Sequence, residues 1–216
     1  AAATIRRKLS EVASLFDHLC ESNAVTHNPC DGVKRPNLGS NEGKSPALGD
    51  DQAKLLLEAP SEKTEKGLRD RALLSVLLFH GLRRAELCSL AVGDLQSRRG
   101  VPHFRVHGKG GKMRFVPVHP GTLERINDYL ALAGHGEDSK GALFRPVRNP
   151  VDGDLEKALT GDAIFKLVRF YSMKLGLDAK AICVHGLRAT AATVALDHQA
   201  DIAKVQEWLG HANIAT

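Results

Sequence analysis

The run EKGLRDRALLSVLLFHG, from Glu65 to Gly81, places the strongest constraint on how this chain folds. It reads as a helix that is apolar almost all round and stops at Gly81. Such a helix belongs at the centre of a core that other elements complete. A chain of 216 residues, 43% hydrophobic and 25% charged, can bury one good core with a smaller satellite at one end.

The surrounding text supplies the partners. TIRRKLSEVASLFDHLCESNA sets Ile5, Leu9, Val12, Leu15, Phe16 and Leu19 at helical spacing, an amphipathic helix whose apolar stripe needs something to pack on. From Asn28 to Gly49 Pro and Gly recur without periodicity, which marks a linker. GDDQAKLLLEA predicts a short helix with Asp50 or Asp51 as N-cap, and LRRAELCSLAVGDL a further amphipathic helix with Leu87 and Leu90 inward. The period then changes: VPHFRVHG and KMRFVPV alternate around Lys109-Gly110-Gly111 and predict a β-hairpin over Val101 to Val118. Helical spacing returns in PGTLERINDYLALAG, GDAIFKLVRFYSMKLG, HGLRATAATVALDHQ and DIAKVQEWLG. Between the first two lies a long loop with an extended piece at Ala142 to Phe144, and Asp201 caps the last helix after a tight connection. The expected fold class is mainly α with a small antiparallel β-sheet.

The net charge is +5, and Arg98, Arg99, Arg105, Lys109, Lys112 and Arg114 fall in one segment that contains no acid. That favours a polyanionic partner, most simply nucleic acid. Cys20, Cys30, Cys88 and Cys183 form no CxxC pair, so an intracellular, cytoplasmic setting is expected. The longest apolar run, ALLSVLLF, is too short to span a bilayer, and the opening residues lack the apolar region of a signal peptide.

Four short stretches carry candidate chemistry. In GLRRAEL, Arg83 follows the end of the buried helix and stands three residues before Glu86. Arginine suits a phosphate, because its planar fork donates parallel charge-assisted hydrogen bonds and stays charged. Equally, Arg83 and Glu86 form an ordinary surface pair at this spacing, and Glu86 then buttresses the turn or orients Arg84. In HGKGGKMRFVPV, Lys109 or Lys112 at a hairpin turn can reach into a groove and give a proton to a departing oxygen. In VHGLRATAAT, His185 and Arg188 share one face of a helix start, where free N–H groups also suit an anion. In WLGHANI, His211 follows the glycine that ends the last helix.

Taken in order, these stretches resemble the tyrosine recombinases, or phage-type integrases. HGLRRAEL is similar to their first arginine box, GKGGKMRFVPV to the lysine hairpin, HGLRATAAT to the second box and VQEWLGHANIAT to the third. The resemblance implies the DNA breaking-rejoining catalytic fold over residues 47–216, a linker over 37–46, and over 1–36 the last helix of a core-binding domain. It implies a site-specific recombinase that cleaves and rejoins double-stranded DNA by transesterification through a 3′-phosphotyrosyl intermediate, working as a homotetramer without metal, nucleotide cofactor or membrane. Arg83 and Arg188 then bind the nonbridging oxygens of the scissile phosphate, His185 assists as base or hydrogen-bond partner, Lys109 protonates the leaving oxygen, and His211 contacts the phosphate. Glu86 supports them, and Arg84, Lys112 and Arg114 contact DNA. Ala189 stands where many members carry a histidine. The family's nucleophilic tyrosine is expected after Thr216, since Tyr129 and Tyr171 lie outside the motif.

Two other readings compete. A non-catalytic DNA-binding protein would use His185 to Gly210 as a helix-turn-helix, although DIAKVQEWLG offers few side chains for base edges. A metal-dependent nuclease would need closely spaced ligands, and no HExxH motif occurs.

Overall fold

The computed structural model describes residues 2–37, 47–108, 111–149, 153–177 and 182–210. The chain divides into two compact units, Ala1–Lys44 and Ser45–Thr216. In the first, helix α1 (Ala2–Glu21) buries none of its residues and leaves Ile5, Val12 and Leu15 exposed. The Asn28 amide donates to the Ala13 carbonyl at 3.0 Å and to the Asp17 carboxylate at 2.7 Å, so the segment after α1 folds back on it.

In the second unit, helix α2 (Asp50–Glu58) has Gly49 at its N-cap with no side-chain cap bond. This corrects the expectation of an aspartate cap: Asp50 and Asp51 sit in the first turn, where their charge faces the positive end of the helix dipole. Helix α3 (Glu65–His80) starts at Thr64, whose hydroxyl accepts the Gly67 N–H at 3.1 Å. It is the central element its sequence predicts, with Ala72, Leu73, Leu74, Val76 and Leu77 fully buried. Helices α5 (Pro120–Ala133) and α7 (Val184–Asp197) pack along it, with α2 alongside.

The amphipathic helix expected after Leu82 is only five residues long, α4 (Arg84–Cys88). A 3-10 turn, Val92–Asp94, and strand β1 (Leu95–Arg98) replace its second half. The cause is tertiary. Val92 and Gly93 donate their N–H groups to the carbonyls of Gly141 and Ser139 at 3.0 and 2.9 Å, and the Asp94 carboxylate holds the Ala91 N–H and the Arg105 guanidinium. A helix would forfeit all four bonds.

Strands β2 (Val101–His107) and β3 (Met113–Pro117) form the expected hairpin, and β1 adds a third antiparallel strand in the order β1-β2-β3. Leu95, Phe104 and Val116 lie in register across the three. Between β1 and β2, Arg99 and Gly100 have φ of +53° and +79°, the twist of a tight primed turn. The extended piece at 142–144 is present as an isolated bridge from Ala91 to Ala142, followed by the Leu143 N–H bonded to the Leu90 carbonyl at 2.8 Å. Helix α6 (Gly161–Lys174) opens at Thr160, and α8 (Ile202–Leu209) at Asp201, whose carboxylate accepts the Lys204 N–H at 3.0 Å as its sequence predicts.

Candidate functional site

Gly81 ends α3 in the left-handed region, φ +55°, and lets three elements close on one point. A Cβ there would stand 2.8 Å from a Leu209 methyl carbon and 3.3 Å from the Ala191 Cβ, so α7 and α8 come closer than any other residue type would permit. Two residues on, Arg83 forms the N-cap of α4. From the facing side Arg188, in the second turn of α7 and only 5% exposed, donates to the Gly81 carbonyl at 2.5 Å and to the Leu209 carbonyl. The two guanidinium groups predicted 105 positions apart in sequence therefore meet at the end of α3.

Glu86 is the counter-charge beside them, paired directly with Arg83. It is 4% exposed, and its oxygens accept the Arg83 N–H at 2.8 Å and the Arg83 guanidinium at 2.9 Å. The surface pair allowed by the spacing is thus half-buried, with the carboxylate inside and the guanidinium partly exposed. Burial alone pushes this carboxyl up, but hydrogen bonds from Arg114 and Arg83 and the charge of Arg114 outweigh it and leave it at about 2. Arg188 is lowered to about 10, first by burial and then by the neighbouring charge of Arg83. It remains a cation at neutral pH, but a costly one, which an arriving anion would relieve. Two of its five N–H donors are committed to carbonyls, so others remain for such an anion.

His185 is exposed in the first turn of α7, where Cys183 at the N-cap contributes no side-chain bond. With Arg83, Arg84, Arg188, Leu82 and Phe165 it lines a pocket of about 370 Å³. Three guanidinium groups, an imidazole and a helix start with free N–H groups suit this pocket to an anion. A larger groove of about 1140 Å³ between β3 and α8 is lined by neither Arg83, His185 nor Arg188. Charge rather than volume identifies the site.

Arg84 is exposed beside the N-terminus of α6, its side chain filling the space next to Gly161. Lys112 is exposed, its carbonyl accepting the Gly108 N–H at 2.7 Å to close the hairpin turn. Arg114, expected on DNA, is turned inward onto Glu86, at 2.8 and 2.9 Å. Sequence spacing carries no signal for that pairing, because the partners lie 28 residues apart on different elements. Lys109 and His211 lie outside the described residues.

Tyr129 and Tyr171 are 1% and 5% exposed. The Tyr129 hydroxyl accepts the Arg145 N–H at 3.2 Å, the Tyr171 hydroxyl donates to Asp70 at 2.9 Å, and burial pushes both phenols up. Neither lines the anion pocket, so the described residues present no tyrosine to it. His103 and His107, four apart on β2, make separate contacts with the Val101 carbonyl and Asp94, and no group of three or more potential metal ligands occurs among the described residues. No helix there is long and apolar enough to cross a membrane.

An arginine pair, its buried glutamate and a helix-borne histidine, set on helices beside a three-stranded sheet, define a tyrosine-recombinase catalytic fold. Residues 46–216 match the phage integrase family, and the chain belongs to it. It is 36% identical over 212 residues to the tyrosine recombinase XerC of Pelobacter propionicus, an alignment covering 97% of this chain and 65% of that relative. The chain thus spans about two thirds of that relative's length. Among solved structures it is similar to XerA recombinase, with 30% identity and a TM-score of 0.64 over 79% of this chain and 57% of that one. It is also similar to XerH recombinase bound to its difH substrate before cleavage, with 26% identity and a TM-score of 0.60 over 77% and 47% of the two chains.

Proposed function

We propose that this chain forms the strand-breaking part of a site-specific recombinase that cuts and rejoins double-stranded DNA by transesterification. The observation that carries the proposal is the meeting of Arg83, Arg188 and His185 around one small pocket with Glu86 behind it. Membership in the phage integrase family supports it.

In this reading a backbone phosphate enters the pocket and its nonbridging oxygens take the free donors of Arg83 and Arg188. A tyrosine hydroxyl attacks phosphorus; the new bond is tyrosine oxygen to phosphorus, and the bond broken is phosphorus to the 5′ oxygen. Lys109 gives the leaving oxygen its proton, His185 takes or shares the proton of the nucleophile, and His211 steadies the phosphate. One phosphodiester replaces another, so rejoining needs no outside energy source. The extra negative charge of the pentavalent state falls between two guanidinium groups already fixed in place, which requires no reorganisation at the moment of reaction. Arg84 and Lys112 extend the contact along the DNA, and residues 1–36, with their exposed apolar stripe, belong to a second DNA-clamping domain. The working assembly is a homotetramer on two DNA sites in the cytoplasm.

The test is a nicked duplex on which a cut end diffuses away, so that the covalent adduct accumulates. The full-length protein is expected to form an adduct on a tyrosine, located by mass spectrometry. Arg188→Ala is expected to lower its rate by at least about 10²-fold. Its DNA affinity should change only a few-fold, because many other phosphate contacts remain. No adduct, or one indifferent to Arg188→Ala, overturns the reading.

A further inference from the structure

The inward turn of Arg114 closes a circuit of hydrogen bonds around the site. Its guanidinium grips both oxygens of Glu86, and its Nε donates to the Trp208 carbonyl at 2.9 Å. Glu86 in turn holds Arg83, whose far Nη donates to the Gly210 carbonyl at 3.0 Å. With Arg188 on the Leu209 carbonyl, three successive carbonyls at the end of α8 are taken by three arginines from three different elements. Helix ends leave such carbonyls unpaired and carry partial negative charge, so cations are their natural partners.

The packing around Arg114 is equally close. A Cβ on Gly210 would stand 3.2 Å from the Cζ, Nε and Nη1 of Arg114. A Cβ on Gly108 would stand 3.2 Å from the Lys112 carbonyl, 3.6 Å from the Arg114 Nη1 and 3.8 Å from the Glu86 Oε1. The Arg114 guanidinium therefore sits against Gly108, the residue before Lys109, and against Gly210, the residue before His211.

Resting on the recombinase reading above, we propose that Arg114 is a positioning residue and not a DNA contact. One guanidinium orients Arg83 through Glu86 and fixes Gly108, just after β2, and the end of α8 relative to the phosphate pocket. Only arginine can do this, because the task takes a bidentate fork for the carboxylate and a third donor, Nε, pointing at a carbonyl. Lysine would keep the charge beside Glu86 and lose the geometry. A glutamine would leave the buried carboxylate to Arg83 alone, drawing that guanidinium toward Glu86 and away from the pocket.

The experiment uses the full-length protein and the nicked-duplex assay, with DNA affinity and thermal midpoint measured on each variant. Arg114→Lys is expected to slow single-turnover adduct formation about 10²-fold, the usual penalty of a small misplacement, while the DNA dissociation constant changes less than about threefold. Arg114→Gln is expected to lower the thermal midpoint as well, and Glu86→Gln added to it removes the buried charge that has lost one of its two arginines and restores the midpoint without restoring the rate. Arg83→Ala in the Arg114→Lys background should cost much less than in the wild type, since the two act through one contact. Wild-type rates in Arg114→Lys overturn the proposal, as does a double variant that regains both midpoint and rate. A rate loss matched by an equal loss of DNA affinity and a shallower salt dependence would make Arg114 a phosphate contact and equally overturn it. A wild type that forms no adduct overturns the recombinase reading itself.

Discussion

His80 occupies the last turn of α3, 2% exposed, with its Nε2 accepting the His119 N–H at 3.0 Å. Accepting that bond requires an unprotonated nitrogen, and burial, then the nearby His119, lower its pKa to about 4. As pH falls from 6.5 toward 4 the unfolded chain takes up a proton that the folded chain refuses, so stability is lost through that window. Glu86, held at about 2 against an ordinary 4.5, contributes stability above 4.5 that is lost as pH falls toward 2. Thermal midpoints measured from pH 7 to 2 should therefore decline in two overlapping steps. His80→Gln should flatten the upper one, removing a dependence of roughly 3 kcal/mol; an unchanged slope would refute the assignment. At this scale the sequence was readable where residues act through their own spacing: Arg83 with Glu86, and His185 with Arg188. It was silent on Arg114, whose bonding partners at Glu86 and Trp208 lie 28 and 94 positions away.

The eight-residue helix α8 shows how an element depends on both its ends. Asp201 caps its start, and its last carbonyls are held by Arg83, Arg114 and Arg188. Gly81→Ala attacks the second anchor, since the new methyl meets Leu209 and adopts a positive φ that costs a non-glycine residue about 1 kcal/mol or more. We expect it to destabilise the fold by roughly 2 kcal/mol or more in denaturant unfolding, the methyl clash included, and, in the proposed recombinase function, to slow adduct formation, because α8 then lifts from Arg188. A neutral result would show that the close approach at Gly81 is dispensable. Helix α3 was legible in its apolar run, and the hairpin in its alternation. Strand β1 and the shortening of α4 were not, because LRRAELCSLAVGDL is compatible with a helix until Ser139 and Gly141 offer its backbone other partners.

At the scale of the molecule, the apolar core among the described residues is drawn from residue 48 onward, while α1 buries none of its own. A protein lacking residues 1–44 is therefore expected to unfold with a thermal midpoint within about 3 °C of the intact chain. Calorimetry of the two proteins decides this, and a large drop would mean that the first unit supports the second. The sequence by itself determined the class of fold, the central helix, the cap at Asp201 and the boxes that mark the family, because periodicity, capping and motif spacing are local properties written within a few residues. Only the tertiary structure decided that Glu86 is a buried counter-charge shared by two arginines, that three guanidinium groups hold the end of α8, and that both tyrosines are sealed in the core. Those contacts join residues up to 127 positions apart, and no local pattern encodes which of several arginines will reach a given carbonyl once the chain has closed on itself.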